Sequence, residues 1–191
     1  MQIRKAKQND APQLAELIDL AGEGIPSYLW QQMKAEDQTV LDFGAQRAAR
    51  EEGGFSYTHA WVAERDSQVA AMILGYVQPD PYDLAELDDS PEYLHPIIEL
   101  EAMAPGSWYV NALATFSQFQ GKGFGSQLLK NAEEIAKAEG CADLSLIVSS
   151  ANPNAKRLYE YLGFVERSSK PIIPIPELGH SGNWILMVKQ I

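Results

Sequence analysis

Between a β-rich stretch and a helical pattern beginning Ser126-Gln127-Leu128-Leu129 lies the run Gln120-Gly121-Lys122-Gly123-Phe124-Gly125. Three glycines in that place constrain the chain strongly. Glycine reaches positive φ without steric penalty and puts no side chain over the backbone, so the amides of such a loop can turn inward. The helix behind it adds first-turn amides that lack intrahelical partners, and the positive end of its dipole. The segment therefore reads as strand, anion-binding loop and helix, with a phosphate as the expected guest.

The rest of the chain supplies an α/β setting for that loop. Residues 2–5 read as a strand, and Asp10 is placed to cap a helix whose Leu14, Leu17, Ile18 and Ala21 keep helical spacing before Gly22. Residues 25–52 read as one or two helices with a break near Thr39. Residues 57–64 and 68–77 suggest an antiparallel hairpin about Arg65-Asp66-Ser67. Residues 78–106, rich in proline and acid, read as an insertion with a short helix. In the strand at 107–115, Trp108, Val110, Ala112 and Ala114 fall on one face and Tyr109, Asn111, Leu113 and Thr115 on the other. A helix with the stripe Leu128, Leu129, Ala132, Ile135 and Ala136 ends at Gly140, a strand occupies 143–148, and Asn152-Pro153 opens another helix that Gly163 closes. Strands at 164–169 and 183–189 finish the chain. Strand, helix, strand from 107 to 148 implies two parallel strands with the helix packed on the sheet, and ligands commonly sit beyond the C-terminal ends of such strands.

A chain of 191 residues suits one domain. Its N-terminal residues lack the apolar core of a signal peptide, and no apolar run approaches the ~20 residues that span a bilayer, so a cytoplasmic protein is expected. One cysteine, Cys141, excludes an internal disulfide and a cysteine-based zinc site. The net charge of −11 is uneven: from residue 66 to 121 there is no lysine or arginine, while Asp66, Asp80, Asp83, Glu86, Asp88, Asp89, Glu92, Glu99 and Glu101 all fall there. Such a block repels nucleic acid and anionic membrane, and in a cleft it would draw in a cation.

The loop does not meet the dinucleotide pattern GxGxxG, because the last glycine position falls on Ser126 or Leu128, and no GK[ST] follows for a triphosphatase loop. Instead, the stretch from Asn111 to Gly125, with Gln120, Gly123 and Gly125 in the spacing [QR]xxGx[GA], resembles the acetyl-CoA motif of the GNAT-type N-acetyltransferase superfamily. Asn152-Pro153-Asn154-Ala155-Lys156-Arg157-Leu158-Tyr159-Glu160-Tyr161-Leu162-Gly163-Phe164 resembles that superfamily's second signature, NxxAxxLYxxxGF. The two motifs, in that order, span residues 111–164, a little over a quarter of the chain.

The resemblance implies a single α/β (α+β) domain over residues 1–191 with an acidic insertion at about 78–106. Its mixed, mostly antiparallel sheet would have about seven strands, splayed between two parallel central strands, with helices on both faces. It implies that the backbone of Leu113 and Thr115 pairs with pantetheine, that an amide near Leu113 or Ala114 takes the oxyanion, and that the backbone of Gln120, Gly121, Lys122, Gly123, Phe124, Gly125 and Ser126 holds pyrophosphate. Asn152 and Ala155 would meet the cofactor arm, Lys122 and Lys156 would add charge at the rim, and Tyr159 would protonate the departing thiolate. The strand at 107–115 lacks the glutamate that many relatives use as base, so Glu101 and Glu99 just upstream are the candidate bases, with Tyr109 or Asn111 able to position a water, and Glu99, Glu101, Tyr109 and Asn111 are the candidate acceptor-binding residues. Relatives often have proline where Ser117 stands.

The function so implied is direct transfer of an acetyl group from acetyl-CoA to the amine of a small molecule or peptide in a ternary complex. No metal is needed. A cationic acceptor suits the acidic insertion, nucleic acid and membrane are not expected partners, and a homodimer is compatible with the family. A non-catalytic acyl-CoA sensor on the same fold is the alternative.

Overall fold

The computed structural model describes the backbone of residues 1–191 and every side chain except that of Glu86. Strand β1 (Gln2–Lys5) leads through a short 3-10 turn into helix α1 (Ala11–Ala21), whose Leu14, Leu17 and Ile18 are buried as their spacing predicts. Asp10 does precede α1, but its carboxylate makes no capping bond to that helix. It accepts from both Nη atoms of Arg4, at 2.7 and 2.9 Å, and from the Lys7 amide at 2.7 Å. A guanidinium fork gives charge-assisted bonds that a helix amide cannot match.

Helices α2 (Ile25–Met33) and α3 (Val40–Ala48) flank the expected break, where Thr39 accepts from the Asp42 amide at 3.1 Å and caps α3. A methyl group on Gly44 would run into the buried ring of Trp30, so glycine at that point permits the α2–α3 contact. Strand β2 (Ala60–Arg65) pairs antiparallel with β3 (Gln68–Val77) through Asp66 and Ser67, at φ 53° and 62°, a two-residue turn whose twist suits a hairpin. The strand begins three residues later than expected, because Ser56 accepts from the Thr58 amide at 3.1 Å and turns residues 57–59 into a 3-10 helix.

The insertion carries two short helices, α4 (Glu86–Asp89) and α5 (His95–Glu101), where one was expected. Strand β4 (Trp108–Thr115), helix α6 (Phe124–Ala138), strand β5 (Asp143–Ser149), helix α7 (Pro153–Tyr161) and strands β6 (Val165–Pro171) and β7 (Asn183–Gln190) follow close to the expected bounds. Both α6 and α7 end as their glycines dictate. Gly140 and Gly163 lie at φ 80° and 93°, and the next amides, of Cys141 and Phe164, reach back to Ala136 and Tyr159.

The seven strands run in the order β1-β2-β3-β4-β5-β7-β6. The parallel pair is β4 and β5, and its ladder covers Trp108–Val110 against Leu144–Leu146. Along the other side of β4, Gln78 donates to the Ser107 carbonyl and Phe116 to that of Ala70. From Ala70 to Gln78 the chain advances eight residues and from Ser107 to Phe116 nine, so β4 carries one extra residue, a β-bulge.

Two compact units make up the chain: residues 1–76 with 111–132, and residues 77–110 with 133–191. In the first, Leu14, Leu17 and Ile18 of α1, Trp30 and Ala48 cluster with Ala60 and Val62 of β2, Met72 and Leu74 of β3, and Ala112 and Ala114 of β4. The alternate residues Ala63, Ala71 and Ile73 are fully buried too, so both faces of that sheet region are covered. In the second unit α5 packs on β5, β6 and β7, and α7 packs on β5. An ion pair between Lys189 and Glu133 joins β7 to the C-terminal half of α6.

Arg4 holds Asp10 below the usual carboxylate pKa, outweighing the effect of burial, and the Lys7 amide adds to it. A depressed carboxylate stabilises the fold above its unfolded pKa, and that contribution is lost as pH falls through the folded value. Asp10→Asn is therefore expected to lose about 1–3 kcal/mol at pH 7. In urea titrations the gap to the wild type should close as the pH drops below about 4.

Candidate active site

The glycine loop lies in the first unit, between β4 and α6. Gly121 and Gly123 have φ of 71° and 82°, and a Cβ built on either would meet nothing within 4 Å. Their requirement is thus for backbone conformation, and it leaves open space over the loop. The first α-helical bond runs from the Gln127 amide to the Gly123 carbonyl at 3.1 Å. Helix geometry then leaves the amides of Gly123, Phe124, Gly125 and Ser126 outside the helical ladder, pointing from the helix N-terminus. Phe124 is buried, edge-on to Phe119 at 5.9 Å, and anchors the start of α6. Lys122 donates to the Gln118 carbonyl at 2.6 Å with its ammonium 5.4 Å from the Phe119 ring, and Gln120 donates to the Thr115 carbonyl at 3.2 Å. These first-turn amides lie outside the helical ladder, with the Lys122 ammonium nearby in the loop.

Three residues beyond the end of the β4–β5 ladder comes Leu113, half-buried like Thr115, with Ala114 between them buried in the core. Asn111, the first residue past that ladder, donates from Nδ2 to the Tyr76 hydroxyl at 2.8 Å. Tyr76 in turn meets His59 edge-on, with ring centroids 5.6 Å apart.

The second unit holds the other predicted residues. Asn152 caps α7, its side chain accepting from the Ala155 amide at 3.2 Å. Tyr159, on the inner face of α7, is 9% exposed and lies edge-on to Phe164 at 5.9 Å. Burial pushes its phenol up to about 12. Lys156 pairs with Glu166 at 2.9 Å and Glu160 at 3.7 Å, so its charge is matched locally and its pKa is raised. Glu99 pairs with Lys170 of β6 at 2.5 Å. Glu101 accepts from the Tyr82 hydroxyl at 2.8 Å. Tyr109 is buried on β4 opposite Ser145.

The predicted residues thus fall into a phosphate-type loop with Asn111 in one unit, and a capped helix with a buried phenol and two partnered carboxylates in the other. Tyr76, Tyr82, Glu166 and Lys170 escaped the sequence reading. Each lies between 10 and 71 positions from the residue it holds, and no short-range spacing marks it. Burial pushes the Cys141 thiol pKa up, with Glu139 adding to the shift, which leaves it a poor nucleophile.

A mixed sheet with a glycine loop opening α6 is an arrangement able to receive a phosphorylated ligand at a helix N-terminus. The profile of the acetyltransferase (GNAT) family matches residues 24–164, and the chain belongs to that family. A stretch of 55 residues is 33% identical to mouse (Mus musculus) thialysine N-epsilon-acetyltransferase; it covers 29% of this chain and 32% of that protein, about a third of the relative's length. Among solved structures, the fold resembles one described as an acetyltransferase, with a TM-score of 0.69 and 24% identity over 100% of both chains. It also resembles an N-acetyltransferase from Staphylococcus aureus Mu50, with a TM-score of 0.67 and 23% identity over 98% of this chain and 100% of the other. A third likeness is to yncA, a putative acetyltransferase from Salmonella typhimurium solved with acetyl-CoA, with a TM-score of 0.62 and 18% identity over 99% and 92%. The mixed seven-strand sheet with its parallel central pair is the fold of these structures. Among the described residues no helix is long and apolar enough to cross a membrane.

A phenol whose folded pKa exceeds its unfolded value of about 10 stabilises the fold fully below that pH and loses the contribution as pH rises toward the folded value. Unfolding free energy measured between pH 10 and about 12 should therefore fall more steeply for the wild type than for Tyr159→Phe.

Proposed function

We propose that this chain, acting as one acetyltransferase domain with its insertion at about 78–106, transfers an acetyl group from acetyl-CoA to an amine. The observation that carries the proposal is the loop of Gly121 and Gly123, which opens α6 with backbone donors and free space above it. The amides from Gln120 to Ser126 would hold the pyrophosphate and Lys122 would add charge at the rim. The backbone of Leu113 and Thr115 would align the pantetheine, with Asn152 and Ala155 against its arm. Lys156 contributes little charge there, because Glu166 and Glu160 already match it.

In the reaction the amine nitrogen attacks the thioester carbon, and an amide near Leu113 or Ala114 receives the oxyanion. Collapse breaks the carbon–sulfur bond, and the proton lost by the amine replaces the acyl group on sulfur. Tyr159, protonated throughout the physiological range, donates a hydrogen bond to the departing sulfur. A thiolate is a weaker base than this phenolate, with an ordinary thiol pKa of about 8.5. The phenol therefore stabilises the thiolate as it forms and regains any proton it gives up. Glu101, which accepts from the Tyr82 hydroxyl, is the proposed base, and Tyr109 and Asn111 are the proposed acceptor-binding residues. Glu99 is matched by Lys170, so attraction of a cationic acceptor falls mainly to Glu101. An amine borne by an amino acid is compatible with the name of the mouse relative, which refers to thialysine.

Calorimetric titration with acetyl-CoA and CoA, followed by thiol release over a panel of amines, tests the activity. Binding with amine-dependent release is expected, whereas binding without release on any amine would mark a sensor. Tyr159→Phe should lower kcat about 100-fold with little change in the KM for acetyl-CoA.

A further inference from the structure

Asn111 occupies a singular place: it is the first residue of β4 past the Val110–Leu146 end of the parallel ladder, two residues before Leu113. A side chain there stands next to the backbone that the proposed reaction uses for the thioester. Its carboxamide is not left to rotate. The 2.8 Å bond from Nδ2 to the Tyr76 hydroxyl fixes one end, leaving Oδ1 as the end that can accept from a ligand. Tyr76 is itself held by the edge contact with His59. The sequence contains no carboxylate in β4, so a neutral acceptor at this point can orient an amine without trapping it as an ammonium ion.

We infer that Tyr76 is a positioning residue for the acceptor substrate: it locks Asn111 so that Oδ1 receives an N–H of the attacking amine and directs the nitrogen lone pair at the thioester carbon. Asn111 touches the substrate, and Tyr76 acts through it. This rests on the acetyltransferase reading above. It predicts an acceptor whose nitrogen keeps at least one hydrogen besides the one replaced, that is, a primary amine in preference to a secondary one.

The test combines kinetics with side-chain amide NMR on the full chain. Tyr76→Phe should raise the KM for a primary amine or lower kcat by about tenfold, the scale of one hydrogen bond, while the KM for acetyl-CoA stays within twofold. Asn111→Ala should show the same split, and adding Tyr76→Phe to it should produce no further loss. In 15N spectra the Asn111 carboxamide signals should shift on Tyr76→Phe and again on adding the amine. A Tyr76→Phe enzyme with unchanged kinetics, a full extra loss in the Asn111→Ala background, or an Asn111 signal indifferent to both changes would overturn the inference. If the NMR shift on Tyr76→Phe is present but the wild type releases no thiol with any amine, the acetyltransferase reading has failed and the acceptor role falls with it. Thiol release together with an indifferent Asn111 signal would overturn the positioning role alone.

Discussion

Backbone groups left without secondary-structure partners organise this protein. The β4–β5 ladder stops at Val110 and Leu146, and α6 begins with amides that no carbonyl of its own helix can reach. Buried polar groups without partners are expensive, so such groups persist where solvent or a ligand can satisfy them. The positive φ of Gly121 and Gly123 is what presents the loop amides, and the bulge in β4 accommodates an extra residue in the strand that leads to them.

Side chains refine what the backbone offers. Asn152 is occupied by capping α7, and that cap together with the glycine end at Gly163 fixes the length and orientation of the helix that carries Tyr159. Burial does the rest for the phenol, raising its pKa so that it stays a donor. Electrostatics is more local than the net charge suggests. Glu99 of the acidic insertion is matched by Lys170, and outside the insertion Lys156 and Glu133 likewise have oppositely charged partners.

Much of this was legible from residue order. Glycines and caps act within a few positions, so the loop, the ends of α6 and α7, the hairpin turn at Asp66-Ser67 and the helix break at Thr39 could be placed from short-range spacing. The parallel pair followed from strand, helix, strand. What could not be read were choices made between distant partners. Asp10 had the residue type and place of a helix cap, yet Arg4 captured its carboxylate. Lys156 looked available for a phosphate until Glu166 came beside it, and nothing in the pattern around Asn111 pointed to Tyr76, 35 residues earlier. Insertion of β7 between β5 and β6 is likewise a tertiary choice that local periodicity does not encode.

The central claim is that the loop amides hold the pyrophosphate of a CoA thioester, and backbone amide NMR during titration with CoA reads it most directly. The account predicts that the amide signals of residues 121–126 shift strongly and gain protection from exchange with saturating CoA, while dephosphorylated pantetheine leaves them nearly unmoved. Tight CoA binding with those amides unchanged would contradict it.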